Sequence, residues 1–223
     1  MNHQLEPVDL LSSFIEYRAD FKEPVLEAWN KGEFNTAVFR AFRPWGIGLT
    51  DFTWNSNPAN AGDAQSRFEL FKGRYVFIVE CGSTGLSVVN PNWAEAVQIG
   101  QIVQAGNAAV LAVTKAEIAR QIVQMSFQLR PRHRSLAELT SSFLNPTLAT
   151  LSEDPVRASG FSLYTDNRVW IVDLSTSNRN ALYLRMTRTF APEVTIEQIA
   201  ETLAADQNNF LDRLKLRIIE DGE

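Results

Sequence analysis

One stretch of thirteen residues recurs further along the chain, and this recurrence limits the possible folds more than any other feature. Residues 68–80 read FELFKGRYVFIVE and residues 161–173 read FSLYTDNRVWIVD, at a constant offset of 93 positions. Five positions are identical: Phe68/Phe161, Leu70/Leu163, Val76/Val169, Ile78/Ile171 and Val79/Val172. Phe71/Tyr164, Phe77/Trp170 and Glu80/Asp173 are near-equivalent. Each copy reads as a hairpin feeding a buried strand. Turn residues Lys72-Gly73 and Asp166-Asn167 separate two apolar runs in each case. Tyr75, Phe77 and Val79 fall on one face and Val76 and Ile78 on the other. Both faces are apolar, so the strand is expected to be central.

The expectation is an internally duplicated α+β chain. It has two halves, each a helix, a three-stranded antiparallel meander and a helix. The halves share a sheet or pack closely, with helices on one face. A lone meander would expose an edge, which favours the shared arrangement. The first half is 1–106, with N-terminal helices, a meander over 66–89 and a helix over 93–105. The second is 107–223, with helices over 115–129 and 136–144, a meander over 160–187 and a C-terminal helix over 196–218. Together they form one compact pseudo-two-fold unit.

Local signals supply the remaining elements. Leu10, Leu11, Phe14, Tyr17 and Phe21 are spaced for a helix face over 8–21. Pro24 suits the first turn of a second helix carrying Val25, Leu26 and Trp29. Asn35 is placed to cap a third, with Val38, Phe39 and Phe42 inward, and Pro44 ends it. Trp45 to Trp54 reads as extended and 55–63 as a loop. Gly82-Ser83-Thr84-Gly85 reads as a turn into a strand over 86–89. Asn92 with Glu95 opens a helix that Gly106 stops, and 108–113 reads as a short strand. Thr114 with Glu117 forms a capping box, and Ile118, Ile122, Met125 and Leu129 then share a helix face. The rival reading is a strand in which Val123, Met125, Phe127 and Leu129 alternate. Ser135 with Glu138 opens a helix that ends at Asn145-Pro146. Leu182, Leu184 and Met186 mark one face of a strand over 181–187. Thr195 with Gln198 opens the last helix.

Bulk composition narrows the function classes. With 45% hydrophobic and 21% charged residues over 223 positions, the chain is that of a soluble globular protein. A net charge of −5 argues against general nucleic-acid binding. A single cysteine, Cys81, rules out an intrachain disulfide. No basic region followed by an apolar core opens the sequence, and no apolar run reaches the ~20 residues of a membrane span. The expected location is the cytoplasm, with neither membrane nor nucleic acid as partner.

No motif specifies a reaction, and no catalytic residue, metal ligand or cofactor is assigned. His3 lies in the N-terminal tail. His133 lies in Arg130-Pro131-Arg132-His133-Arg134, read as a linker between helices. Arg130, Arg132, His133 and Arg134 are a candidate anion clamp, because guanidinium groups bind phosphate and carboxylate bidentately. The plainer reading is a solvated connector beside a helix C-terminus. Cys81 precedes a glycine-rich turn as a nucleophile would, but its duplicate is Leu174, an ordinary apolar site. Glu80 and Asp173 end equivalent strands and would pair only if the halves bring them together. Gly46-Ile47-Gly48 lacks the third glycine of a dinucleotide fingerprint, since Asp51 stands there.

Phe34, Phe39, Phe42, Trp45, Phe52 and Trp54 crowd a span of 21 residues, with Arg40 and Arg43 among them. Core packing accounts for aromatics at helical spacing. Aromatics interleaved with arginine are also what interface hot spots are made of. Phe39, Arg40, Phe42, Arg43, Trp45 and Trp54 are therefore the interface candidates. The order of helix, meander and helix, with acidic charge, resembles small chaperone-like binding modules. The function expected is that of a non-enzymatic binding protein that holds a protein partner or pairs with itself as a homodimer. The alternative is a small-molecule binder or hydrolase with a pocket between sheet and helices.

Overall fold

The computed structural model describes residues 5–26, 32–55, 64–143 and 160–219. The chain is mixed, with a large antiparallel sheet and four α-helices among these residues. In order they are β1 (Glu6–Phe21), α1 (Glu33–Ala41), β2 (Phe52–Asn55), β3 (Gln65–Leu70), β4 (Tyr75–Glu80) and β5 (Ser83–Val89). Then follow α2 (Ala96–Thr114), β6 (Ile118–Pro131), α3 (Leu136–Ser141), β7 (Phe161–Tyr164), β8 (Arg168–Leu174), β9 (Leu182–Phe190), α4 (Ile196–Leu214) and β10 (Leu216–Ile219). The hydrogen-bonded strand order is β2-β3-β4-β5-β1-β6-β9-β8-β7, with β10 on β1. Two compact units divide the chain, and β1, β6, β9 and α4 contribute to both.

The larger unit comprises the described parts of 14–124 and 188–201. Its heart is β4, paired with β3 and with β5. Tyr75, Val76, Phe77 and Val79 are all buried, as expected for a central strand. The β3–β4 turn places Phe71, Lys72 and Gly73 at positive φ, the last at 80°, where only glycine is unstrained. The Phe42 ring packs edge-on against Phe68, Phe77 and Trp45, at centroid distances of 5.9, 5.1 and 6.0 Å. Helix α2 lies over these rings. A Cβ added to Gly106 would sit 2.5 Å from Phe77 Cζ and 2.9 Å from Phe42 Cζ. Gly106 is therefore a contact glycine in mid-helix and not a stop. The helix runs on to Thr114, which overturns the strand expected over 108–113.

The smaller unit comprises the described parts of 1–13, 125–187 and 202–223. Here β10 runs parallel to the start of β1, with Glu6 opposite Leu216 and Pro7 opposite Arg217. Lys215, at φ 57°, ends α4, so the helix expected over 196–218 stops four residues early and becomes a strand. The β7–β8 hairpin turns at Asp166-Asn167 as expected, closed by Thr165 N–H donating to the Arg168 carbonyl at 2.9 Å.

Two further helices read from sequence are strands. Residues 8–21 belong to β1, where Tyr17, Ala19 and Phe21 are buried in alternation. Residues 118–129 belong to β6, where Gln121, Val123, Met125, Phe127 and Leu129 are buried in alternation, as in the rival reading. One physical reason covers both. Residues four apart share a face in either a helix or a strand, so pairs such as Tyr17/Phe21 and Met125/Leu129 do not separate the two periods. Thr114 ends α2 rather than opening a helix: its hydroxyl donates to the Val110 carbonyl at 2.8 Å. Ser83, Thr84 and Gly85 lie within β5 and not in a turn. Arg43–Trp45 and Leu49–Asp51 form two short 3-10 turns, so of the stretch expected to be extended only Phe52–Asn55 is a strand. Gly32, not Asn35, is the N-cap of α1, and Asn35 lies in its first turn.

Several expectations were met. The capping boxes at Ser135/Glu138 and Thr195/Gln198 both form. Others were not: Pro24 opens no helix, since residues 24–26 are not helical, and the helix expected over 136–144 ends at Ser141, before Asn145-Pro146. Trp29, residues 56–63, Asn145-Pro146 and His3 lie outside the described residues.

Candidate functional site

The aromatic stretch divides between core and surface in the larger unit. Phe34 and Phe42 are fully buried, and Phe52 stacks on Phe68 at 4.9 Å. Phe39 and Trp45 are half-buried, on α1 and on the 3-10 turn that follows it. Trp54, opposite Ser66 in the β2–β3 pairing, is 48% exposed, and Leu49 is 82% exposed. Sequence reading passed over Leu49. An isolated leucine beside Gly48 carries no pattern, and only its exposure singles it out.

Gly46 (φ 76°) and Gly48 frame the bend that presents Leu49. Gly48 N–H donates to the Asp51 carboxylate at 2.8 Å, which fixes the second 3-10 turn. The glycine pair is thus turn chemistry. The side chains of Arg40 and Arg43 are exposed and make no ion pair or hydrogen bond among the described residues. Strand β2 ends the sheet order, and its four residues contain no Lys, Glu or Pro to discourage edge pairing. The arrangement offers an apolar, locally basic surface with no reactive group in it.

The basic run 130–134 lies in the smaller unit. It begins in the last two residues of strand β6 and follows no helix, which removes the helix-end role considered for it. Arg132 Nε donates to Asp9 Oδ1 at 2.7 Å and Arg130 Nη2 donates to Asp9 Oδ2 at 3.1 Å. These two bonds, that of Arg132 first, hold the Asp9 carboxyl below the usual range. The backbone N–H groups of His133 and Arg134 both donate to Glu6 Oε1, at 2.8 and 3.1 Å. Glu6 is buried, so two N–H donors offset the cost of desolvating its charge. The clamp thus already holds two of the chain's own carboxylates.

The remaining candidates are satisfied locally. Glu80 accepts from Gln65 Nε2 at 3.2 Å and from Ser83 Oγ at 3.1 Å. Asp173 is exposed and accepts from the Leu174 N–H at 2.7 Å. The Cys81 side chain is buried and its carbonyl accepts from Val25 N–H at 2.7 Å. Among the described residues no group of three or more His, Cys, Asp and Glu could hold a metal.

A buried polar chain that sequence reading missed crosses the larger unit. Thr84 Oγ1 donates to Asn107 Oδ1 at 2.6 Å, Asn107 Nδ2 to Tyr17 Oη at 3.0 Å, and Tyr17 Oη to Gln121 Oε1 at 2.8 Å. Gln121 Nε2 donates to the carbonyls of Ala191, Pro192 and Val194. Burial pushes the Tyr17 hydroxyl up to about 12, with the Asn107 bond acting the other way. Every member has a partner, so the chain is a structural clasp. Helix α2 is the one helix among the described residues long and apolar enough to cross a membrane. Ile102, Val103, Gly106 and Val110 are buried on it, and Asn107 belongs to the clasp. No protein-family model matches the chain, and no curated protein matches it either.

Proposed function

We propose that this chain is a non-enzymatic binding protein that docks a protein partner, or a second copy of itself, on the surface formed by α1, the two 3-10 turns and β2. One observation carries the reading: Leu49 and Trp54 stand exposed beside a packed aromatic core, with Arg40 and Arg43, whose side chains have no partner among the described residues, shortly before them in sequence. Covering one large apolar side chain is worth roughly 1.5–3 kcal/mol, so a partner over Leu49 and Trp54 gains several kcal/mol before its own costs. Immobilised wild-type chain and a Leu49→Asp chain test it. The wild type retains a partner or a second copy that Leu49→Asp does not. Identical retention on both would overturn the assignment.

We also propose that the chain is an internal duplication. The succession of long strand, helix, meander and helix supports this, since it occurs as β1, α1, β3–β5, α2 and again as β6, α3, β7–β9, α4. The strand order from β3 to β7 reads alike from either end under that correspondence. One difference must be accommodated. Phe68 pairs with Phe77, but Phe161 pairs with Val172 rather than Trp170. The second hairpin is slipped by two residues, which keeps every side chain on its face. The first and last strands among the described residues, β1 and β10, are paired. A circular permutant opened at the exposed Lys115 exchanges the order of the repeats and is expected to melt cooperatively. A permutant that does not fold would count against contiguous repeats.

A further inference from the structure

The start of β1 carries an arginine cluster that outnumbers the carboxylates bonded to it among the described residues. Asp9 lies between Arg130 and Arg132 and bonds both. On the other side of β1, β10 sets Arg217 opposite Pro7. Residues two apart on a strand share a face, so Arg217, Pro7 and Asp9 lie on one side of this ribbon. Glu6 alternates to the other side, where it is buried and bonded to the N–H groups of His133 and Arg134. Arg217 is therefore one diagonal step from Asp9, within reach of a long side chain. Its side chain is exposed and has no hydrogen bond or ion pair among the described residues. Two guanidinium groups thus share one carboxylate, and the third stands on the neighbouring strand without one among the described residues. Arg130 and Arg132 are half-exposed, with donors remaining beyond those given to Asp9.

We propose that Arg130, Arg132 and Arg217 form a binding site for a phosphate monoester, with Asp9 holding the first two arginines in place. Against Asp9 the three guanidinium groups carry an excess of two positive charges, which matches a phosphate dianion, and the three terminal oxygens of a phosphate monoester offer the forks more acceptors than the two of one carboxylate. The cluster is compact, and the chain around it is acidic, with net charge −5. That favours one phosphoryl group over a polyanion, which needs an extended basic stripe.

Calorimetric titration of the full chain with glycerol phosphate, with a phosphoserine peptide and with its unphosphorylated form tests this, at constant ionic strength. Saturable binding of the phosphorylated probes is expected, and tighter binding of the peptide than of glycerol phosphate would identify a phosphorylated protein as the source. Arg217→Ala removes an exposed side chain that makes no hydrogen bond or ion pair among the described residues and should weaken binding by about tenfold. Asp9→Asn removes the competing charge while its one oxygen still accepts from one of the two arginines, and should tighten binding by about threefold or more. Arg67→Ala, in the larger unit, should change nothing. An Arg217→Ala chain that binds as well as wild type, an Asp9→Asn chain that binds more weakly while still folded, or sulfate heats equal to those of the monoester would overturn the proposal.

Discussion

The Tyr17 hydroxyl donates to the side-chain oxygen of Gln121 at 2.8 Å across 104 residues of sequence. It also accepts from Asn107. Tyr17→Phe would leave the Asn107 amide and the Gln121 carbonyl without this partner. The expected cost is about 1–3 kcal/mol, measured by urea melts at pH 7. The sign with pH follows from burial. The hydroxyl ionises at about 12 in the folded chain, against 10.0 for its ordinary value. Its contribution is therefore whole below pH 10 and is lost as pH rises through about 12. Tyr17→Phe should lose this part of the alkaline decline in stability, and a variant with an unchanged alkaline limb would contradict the clasp.

Gly106→Ala sets two effects against each other. Alanine is better in a helix by about 1 kcal/mol. Here its Cβ would meet Phe77 and Phe42 at 2.5 and 2.9 Å, and overpacking costs roughly 1–3 kcal/mol. The clash involves two buried rings, so we expect a lower melting temperature. A raised one would show that the helix moves away from the rings at little cost.

The readable parts of this fold are those in which two signals coincide. The β3–β4 and β7–β8 hairpins pair an apolar run with turn residues, and the boxes at Ser135 and Thr195 pair a hydroxyl with an acceptor three residues on. The strands β1 and β6 were misread as helices because Tyr17/Phe21 and Met125/Leu129 satisfy both periods. Gly106 looked like a stop because a glycine needed for close approach is written the same way as one needed for a left-handed turn. Of the surfaces, Arg40, Arg43 and Trp54 were legible as types. Leu49, Asp9 and Arg217 were not, since exposure and cross-strand neighbours are properties of pairing and not of spacing.

Cys81 is expected to be inert. It is buried at the end of β4, and thiols react as thiolates, which apolar surroundings disfavour. Cys81→Ser should leave any binding activity unchanged. Iodoacetamide should label the folded chain slowly at neutral pH and fast in urea. Rapid labelling of the folded chain would revive a catalytic role.

The docking surface is tested most directly by sedimentation velocity run beside thermal melts on the same samples of wild type, Trp45→Ala and Arg43→Glu. Trp45 is half-buried against Phe42, and Arg43 is exposed without a partner among the described residues. The account predicts that Arg43→Glu weakens association by about tenfold with its melting temperature unchanged. Trp45→Ala should weaken association more than it lowers the melt. A wild type that stays monomeric at high concentration, together with a Trp45→Ala chain that unfolds, would make the stretch from Phe34 to Trp54 core alone and contradict the account.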